Sequence, residues 1–267
     1  MQNKQEKPDF QALLIDAVNQ PGKMLEAYRA FHNFSIGNQL LALGQCYSRG
    51  IKPAPLATFK TWEKRGRRIK KGEKAISLYM PMIGKKEKTN DKGQTEESTF
   101  AFFRMVNRWF ILSQTDGDTF DDMSLVQWDK EKALKALDIQ MTDFDSINGN
   151  IQGFARGRQV AINPLAQLPF KTLFHEMAHV LLGHTDEVAM AAHDETIPAC
   201  LMEVEAESVA MLCLASLNMD GMEYCRGYIQ NWISTESIPE KSCRKIMSVA
   251  DKILKAGTNK LKENGAE

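Results

Sequence analysis

Between Leu173 and Leu182 the chain would be apolar almost all round a helix, through Leu173, Phe174, Met177, Ala178, Val180, Leu181 and Leu182, yet the same stretch carries His175, Glu176 and His179. A helix of that composition belongs in the interior. Buried histidines and carboxylates cost free energy unless something pairs with them. The H-E-x-x-H spacing offers the pairing. Residues four apart leave one helical face about a turn apart, so both imidazoles can reach one Zn²⁺ at about 2.0–2.1 Å. Glu176 then stands beside the metal as the general base for hydrolysis.

Two histidines leave zinc short of ligands, so a further donor is expected downstream. The segment 202–210 is an apolar helix interrupted by Glu203, Glu205 and Glu207. Glu203, Ala206, Glu207 and Ala210 share a face at i, i+3, i+4 and i+7, and the two alanines let that face lie close to the histidine helix. Glu205 projects about 200° away from Glu203. Glu203 is therefore the expected third ligand, Glu207 the acceptor that orients a ligand histidine, and Glu205 the alternative ligand. His184, near the helix end, is expected to cap it or lie at the surface, and His193 to be a surface residue. Because a histidine binds metal only when neutral, affinity is expected to fall below about pH 6.5. Zinc is the first choice of metal, with another divalent ion as the alternative. A site that keeps its metal without catalysis has the same spacing.

The 267 residues suffice for two small domains, and a net charge of zero makes the whole chain neither a basic nucleic-acid binder nor an acidic mimic of one. Five scattered cysteines with no C-x-x-C pair read as reduced thiols of a cytoplasmic protein. No apolar run is long enough to span a membrane. Helical periodicity runs through residues 9–48. Thr58 is placed to cap a short helix through Trp62, and residues 75–82 and 99–113 are strand-like. The charged segment 84–99 between them reads as a mobile loop or insertion. A short helix follows near 128–137, then a hairpin over 149–163 with Gly157 near its turn. Helices are expected over 169–184, 196–217, 221–233 and 239–256. The expected fold class is α+β in two domains, 1–130 and 145–267.

Residues 60–74 hold eight basic and two acidic side chains, a local excess of six in a neutral chain. Lys60, Lys64, Arg65, Arg67, Arg68, Lys70, Lys71 and Lys74 supply the charge, with Phe59, Trp62 and Tyr79 among and beside them. Positive charge tracks a phosphate backbone and exposed aromatics stack on unpaired bases, which points to single-stranded DNA and to binding that weakens with salt. The plainer alternative is a solvated loop with Trp62 in the core.

Asn33–Leu41, followed by Ala57–Trp62 and Lys70–Lys74, resembles the N-terminal domain of ArdC-type antirestriction proteins, and Ser113–Gly117 resembles that domain's closing segment. Lys171–Glu176 together with Glu203–Glu207 is similar to the zincin-like metallopeptidase domain of the same proteins and to the ImmA/IrrE peptidases. Arg226–Trp232 matches a recurring C-terminal segment. The resemblance implies a single-stranded-DNA-binding domain, then a mainly helical gluzincin-like domain, on a protein of mobile elements that shields incoming DNA from restriction. It leaves the protein substrate unnamed. Peptide is expected along the Gly153–Ile162 hairpin edge, and Tyr228 is the candidate donor to the developing oxyanion, or else a core tyrosine. Two other readings fit the family: a DNA-coating protector with a vestigial metal site, and a regulator that cleaves a repressor.

Overall fold

The side chain of Asp9 accepts a hydrogen bond from the amide of Ala12 at 2.9 Å, and so starts helix α1, Phe10–Asn19. Pro21 sits in the first turn of α2, Pro21–Phe31, where its missing N–H costs nothing. Helix α3 spans Ile36–Ser48. The computed structural model describes residues 9–89, 95–120, 127–146, 150–185 and 198–259. It divides the chain into one unit built on Leu41–Asp121 and another on Pro8–Leu40 with Asp122–Glu267.

In the first unit, β1 (Leu56–Thr58) leads directly into α4 (Phe59–Lys64), with the Thr58 hydroxyl accepting from the amide of Thr61 as the sequence predicts. β2 (Arg67–Ile69) follows, then β3 (Ile76–Thr89) and β4 (Thr95–Ile111), which pair antiparallel, while β1 joins only the far end of β4 at Trp109–Ile111. β5 (Thr115–Gly117) pairs with β2. The charged segment expected to be a loop instead extends the ribbon, with Lys85 opposite Thr99 and Lys88 opposite Glu96. Its backbone bonds need only an opposite strand and no apolar face. Residues 90–94 lie outside the described residues. The core beside this sheet gathers Leu43, Cys46, Trp62, Ile76, Leu78, Trp109 and Ile111. Gln45 ties helix to sheet, its amide nitrogen donating to Ser77 O at 2.8 Å and its oxygen accepting from Ser77 N at 2.9 Å.

The second unit has a small sheet in the order β6 (Gln140–Met141), β8 (Gln159–Ile162), β7 (Gly153–Arg156), which leaves β7 on an edge. Gly157 occupies the β7–β8 turn, as the sequence suggests. Among the described residues, five helices complete the unit beside α1 and α2: α5 (Lys130–Ala136), α6 (Pro169–Leu182), α7 (Ala199–Leu217), α8 (Met222–Ile233) and α9 (Glu240–Gly257). α7 is buried from Val204 to Ser216, and α2, α6, α8 and α9 all pack against it. The expected boundary gives residues 9–40 to the first domain. In the structure Leu14, Ala17, Val18, Met24 and Tyr28 enter the same apolar cluster as Val209, Met211, Ile246 and Ile253. A helix apolar all round needs cover on every side, and α1 and α2 supply part of it. The five cysteines are free, and among the described residues no helix is long and apolar enough to cross a membrane.

Candidate metal centre and nucleic-acid interface

His175 and His179 leave one face of α6 with their Nε2 atoms 3.1 Å apart. From α7, Glu203 places Oε2 at 3.4 Å from the first and Oε1 at 3.4 Å from the second. Ligand atoms around a tetrahedral zinc with bonds of about 2.0–2.1 Å lie roughly 3.4 Å apart. The two imidazole nitrogens and the Glu203 carboxylate therefore stand about as far apart as ligands of one such ion, each imidazole facing a different oxygen of the carboxylate. Two imidazoles and one carboxylate form the donor set of hydrolytic zinc sites. Contacts with His175 and His179, against the cost of burial, hold the Glu203 carboxyl far below its usual range. Burial works against charge on His175, but Glu203 and Glu207 outweigh it and raise its pKa to about 9.

Glu176 is buried on α6, and its pKa is raised by that burial, with His175 and His179 pulling the other way. β7 approaches this point closely. A Cβ on Gly153 would stand 2.6 Å from the Thr172 side chain and 3.3 Å from that of Glu176, so only glycine lets the edge strand come this near. Gln152, Gly153, Thr172, His175 and Glu176 line a cleft of about 760 Å³, with Tyr224 at its rim. Tyr228 is 44% exposed on α8, and its pKa is raised by burial and then by the charge of Glu203 and Glu207.

The two histidines are held by different partners. His175 Nδ1 lies 3.3 Å from Glu207 Oε1, the oxygen to which Lys171 Nζ donates at 2.6 Å. His179 Nδ1 meets His184 Nδ1 at 3.0 Å, and His184 Nε2 meets Glu205 Oε2 at 2.9 Å. His184, expected at the helix end or the surface, is thus interior. Gly183 adopts a left-handed conformation (φ 83°) that ends α6, and the turn folds the ring of His184 back beside His179. Glu205, the alternative ligand, is spent on His184, while the donors that could share a metal are His175, His179 and Glu203. His193 lies outside the described residues. Sequence reasoning missed Lys171 and the His184–Glu205 pair. The first was detectable one turn before His175 on the same face. The second joins residues 21 apart and becomes visible only once α6 and α7 are packed.

The basic segment is divided. Lys60, Lys64, Arg65, Arg68, Lys70, Lys71 and Lys74 are exposed. Arg67 is not part of an open patch: its guanidinium donates to Thr115 Oγ1 at 2.7 Å, to Thr115 O at 3.0 Å, and to the carbonyls of Gly117 and Asp118. Arg65 lies over the rings of Phe120 and Trp62, and Lys70 donates to Ser113 O at 2.9 Å. Trp62, expected among the stacking aromatics, is fully buried and donates its indole N–H to Phe110 O at 2.8 Å. It faces inward because α4 lies against β4 and the ring fills the space beneath. Among the described residues, the exposed rings of this unit are Tyr47 on α3, Phe59 next to Lys60, and Phe100, Phe102 and Phe103 on the ribbon.

Residues 15–109 match the family model for the N-terminal domain of anti-restriction factor ArdC. Among solved structures, the metal-free crystal structure of the antirestriction protein ArdC from plasmid R388 aligns with a TM-score of 0.53 at 18% identity, covering 93% of this chain and 94% of that one. The Mn(II)-bound structure of the same protein aligns at 0.49 and 16% identity, over 94% and 98% of the two chains. No curated protein matches the chain. Residues 15–109 are thus an N-terminal domain of the ArdC type, and the chain shares the fold of that antirestriction protein along nearly its whole length.

Proposed function

We propose that the chain binds single-stranded DNA through its first unit and is a metal-dependent peptidase in its second. The observation that carries the second half is the spacing of His175 Nε2, His179 Nε2 and Glu203, 3.1 to 3.4 Å apart at the edge of a cleft that also holds Glu176. Those three residues would hold zinc or a similar divalent ion, which when bound supplies Lewis acidity to a water and to a carbonyl. Glu176 takes the proton of the attacking water and passes it to the leaving amine, a task its raised pKa suits. An extended peptide lies along the free edge of β7, and the Tyr228 hydroxyl donates to the developing oxyanion. Glu207, neutralised by Lys171, steadies His175.

In the first unit, Lys60, Lys64, Arg68, Lys71 and Lys74 present positive charge to phosphates, and Phe59 with the ribbon phenylalanines offers rings to unpaired bases. The antirestriction setting makes DNA entering a cell the natural ligand. Metal content by mass spectrometry tests the cluster. Wild type is expected to carry about one divalent ion per chain, and His175→Ala and Glu203→Ala none. Glu176→Gln is expected to keep the metal and lose about 10²–10⁴-fold in hydrolysis of an unfolded protein substrate such as casein. Full hydrolysis by Glu176→Gln would reject the assignment of the base. Loss of metal with DNA binding intact would place the two activities in separate units.

A further inference from the structure

Glu205 and His184 are the most enclosed polar pair around the cluster, with side chains 1% and 4% exposed, yet neither supplies a ligand atom. An ionised carboxylate can only accept hydrogen bonds, so the 2.9 Å contact makes His184 Nε2 the donor. A neutral imidazole with its proton on Nε2 presents Nδ1 as a lone pair. The 3.0 Å contact between the Nδ1 atoms of His184 and His179 holds one proton, which must then belong to His179. With Nδ1 protonated, His179 carries its lone pair on Nε2. That is the atom 3.1 Å from His175 Nε2 and 3.4 Å from Glu203 Oε1. The opposite assignment would put a proton on His179 Nε2, pointing it into the space between the three donors and blocking coordination.

We infer that His184 and Glu205 are positioning residues that lock His179 in the tautomer a metal can use, so that this ligand is set before any metal arrives. The inference rests on the metal reading given above. The local chain is built for it. The His184 amide donates to His179 O at 2.9 Å across the Gly183 turn, and the next residue, Thr185, donates its hydroxyl to Gly157 O at 2.7 Å. His184 is thereby fixed from both sides instead of trailing free from the helix. On their Nδ1 sides the two histidines then differ in kind: His175 faces the Glu207 carboxylate directly, and His179 reaches Glu205 through a second imidazole.

Long-range ¹H–¹⁵N correlation spectra of the metal-free, histidine-labelled wild-type chain read the tautomers without any substitution. The expected result is His179 protonated on Nδ1 and bare on Nε2, with His184 bare on Nδ1 and protonated on Nε2. A proton on His179 Nε2, or a doubly protonated His184, would overturn the inference. Cobalt(II) titration followed by absorption supplies the second arm. His184→Leu is expected to weaken binding about 10- to 100-fold, and His184→Gln, whose amide can accept from His179 and donate to Glu205, to recover part of that affinity. Equal affinity in wild type and His184→Leu would also overturn it. Wild type that takes up no cobalt while showing the assigned tautomers would sink the metal reading and leave the hydrogen-bond relay standing. A His184→Leu chain that does not fold leaves the wild-type spectrum to decide.

Discussion

The histidine–glutamate cluster and the basic segment both concentrate charge, but they do so under opposite physical conditions. Around His175 and His179 the polar groups are mostly buried and committed to named partners: Lys171 to Glu207, Glu207 to His175, Glu205 to His184 and His184 to His179. In the basic segment most cations face solvent, and those with partners, such as Arg67 and Lys70, bind backbone carbonyls. Burial leaves few arrangements in which such groups are paired, so helical spacing already groups His175, His179 and Glu203, though not the His184–Glu205 pair. Exposure leaves many, so charge alone does not say which side chains point outward. The comparison separates residues that hold the molecule together from residues free to meet a ligand.

Trp62 gives the largest effect, because it moved from one class to the other. As a fully buried ring with a bonded indole, Trp62→Ala should destabilise the first unit by about 3–5 kcal/mol, measured by denaturant unfolding with circular dichroism. Trp62→Phe should lose less and leave DNA affinity nearly unchanged. A stable Trp62→Ala chain that had lost only DNA binding would break the distinction. Next in size is removal of the exposed cations. Replacing Lys60, Lys64, Arg68, Lys71 and Lys74 together by glutamine should flatten the salt dependence of single-strand binding by about 0.7 for each phosphate no longer neutralised, which costs two to three decades of affinity at roughly 0.1 M salt. Unchanged slope in a fluorescence-anisotropy titration would remove the patch from the interface.

A smaller and graded effect concerns pH. The unperturbed ring sets the expected limit of metal affinity near pH 6.5, but contacts with Glu203 and Glu207, against burial, raise His175 to about 9 in the metal-free chain. A metal must displace that proton. Affinity measured by competition with a chelator should therefore rise about tenfold per pH unit up to about pH 9. The stability of the metal-free chain runs the other way. The folded pKa lies above the ordinary value of 6.5, so the contribution of His175 is fully present below 6.5 and lost as pH rises through about 9. An affinity that levels off near pH 6.5 would mean that the carboxylates do not hold the proton.

How much of this was legible depends on which interactions are local. The pair His175–His179, the cap at Thr58 and the turn at Gly157 are matters of short spacing, and each lies where its spacing puts it. The expectation of Glu203 over Glu205 needed only the period of one helix, and Glu203 is the carboxylate that lies beside both histidines. The interior place of His184 was hidden because its partner Glu205 sits on another helix, and its inward turn depends on the conformation of Gly183. The membership of α1 and α2 in the second unit was hidden for a similar reason: nothing in their own periodicity names the surface they cover. Trp62 misled because an aromatic among lysines has the same composition whether it faces water or the sheet.

Arg67 and Arg68 bring the comparison down to adjacent residues and the smallest expected effects. Both lie on β2, opposite Gly117 and Asp116 of β5, and alternation along the strand sends one side chain inward and the other out. Arg67 spends its guanidinium on Thr115, Gly117 and Asp118, whereas Arg68 is exposed. Arg67→Gln removes hydrogen bonds from a charged donor to β5 and should lower the stability of the first unit by about 1.5–3 kcal/mol, with the salt slope of DNA binding unchanged. Arg68→Gln should leave stability within about 0.5 kcal/mol of wild type and reduce the slope by about 0.7. Since the two substitutions make the same change of charge one residue apart, any difference between them reports orientation alone. Equal slopes for both variants would mean that DNA responds to the net charge of the segment and not to the side chains that face it.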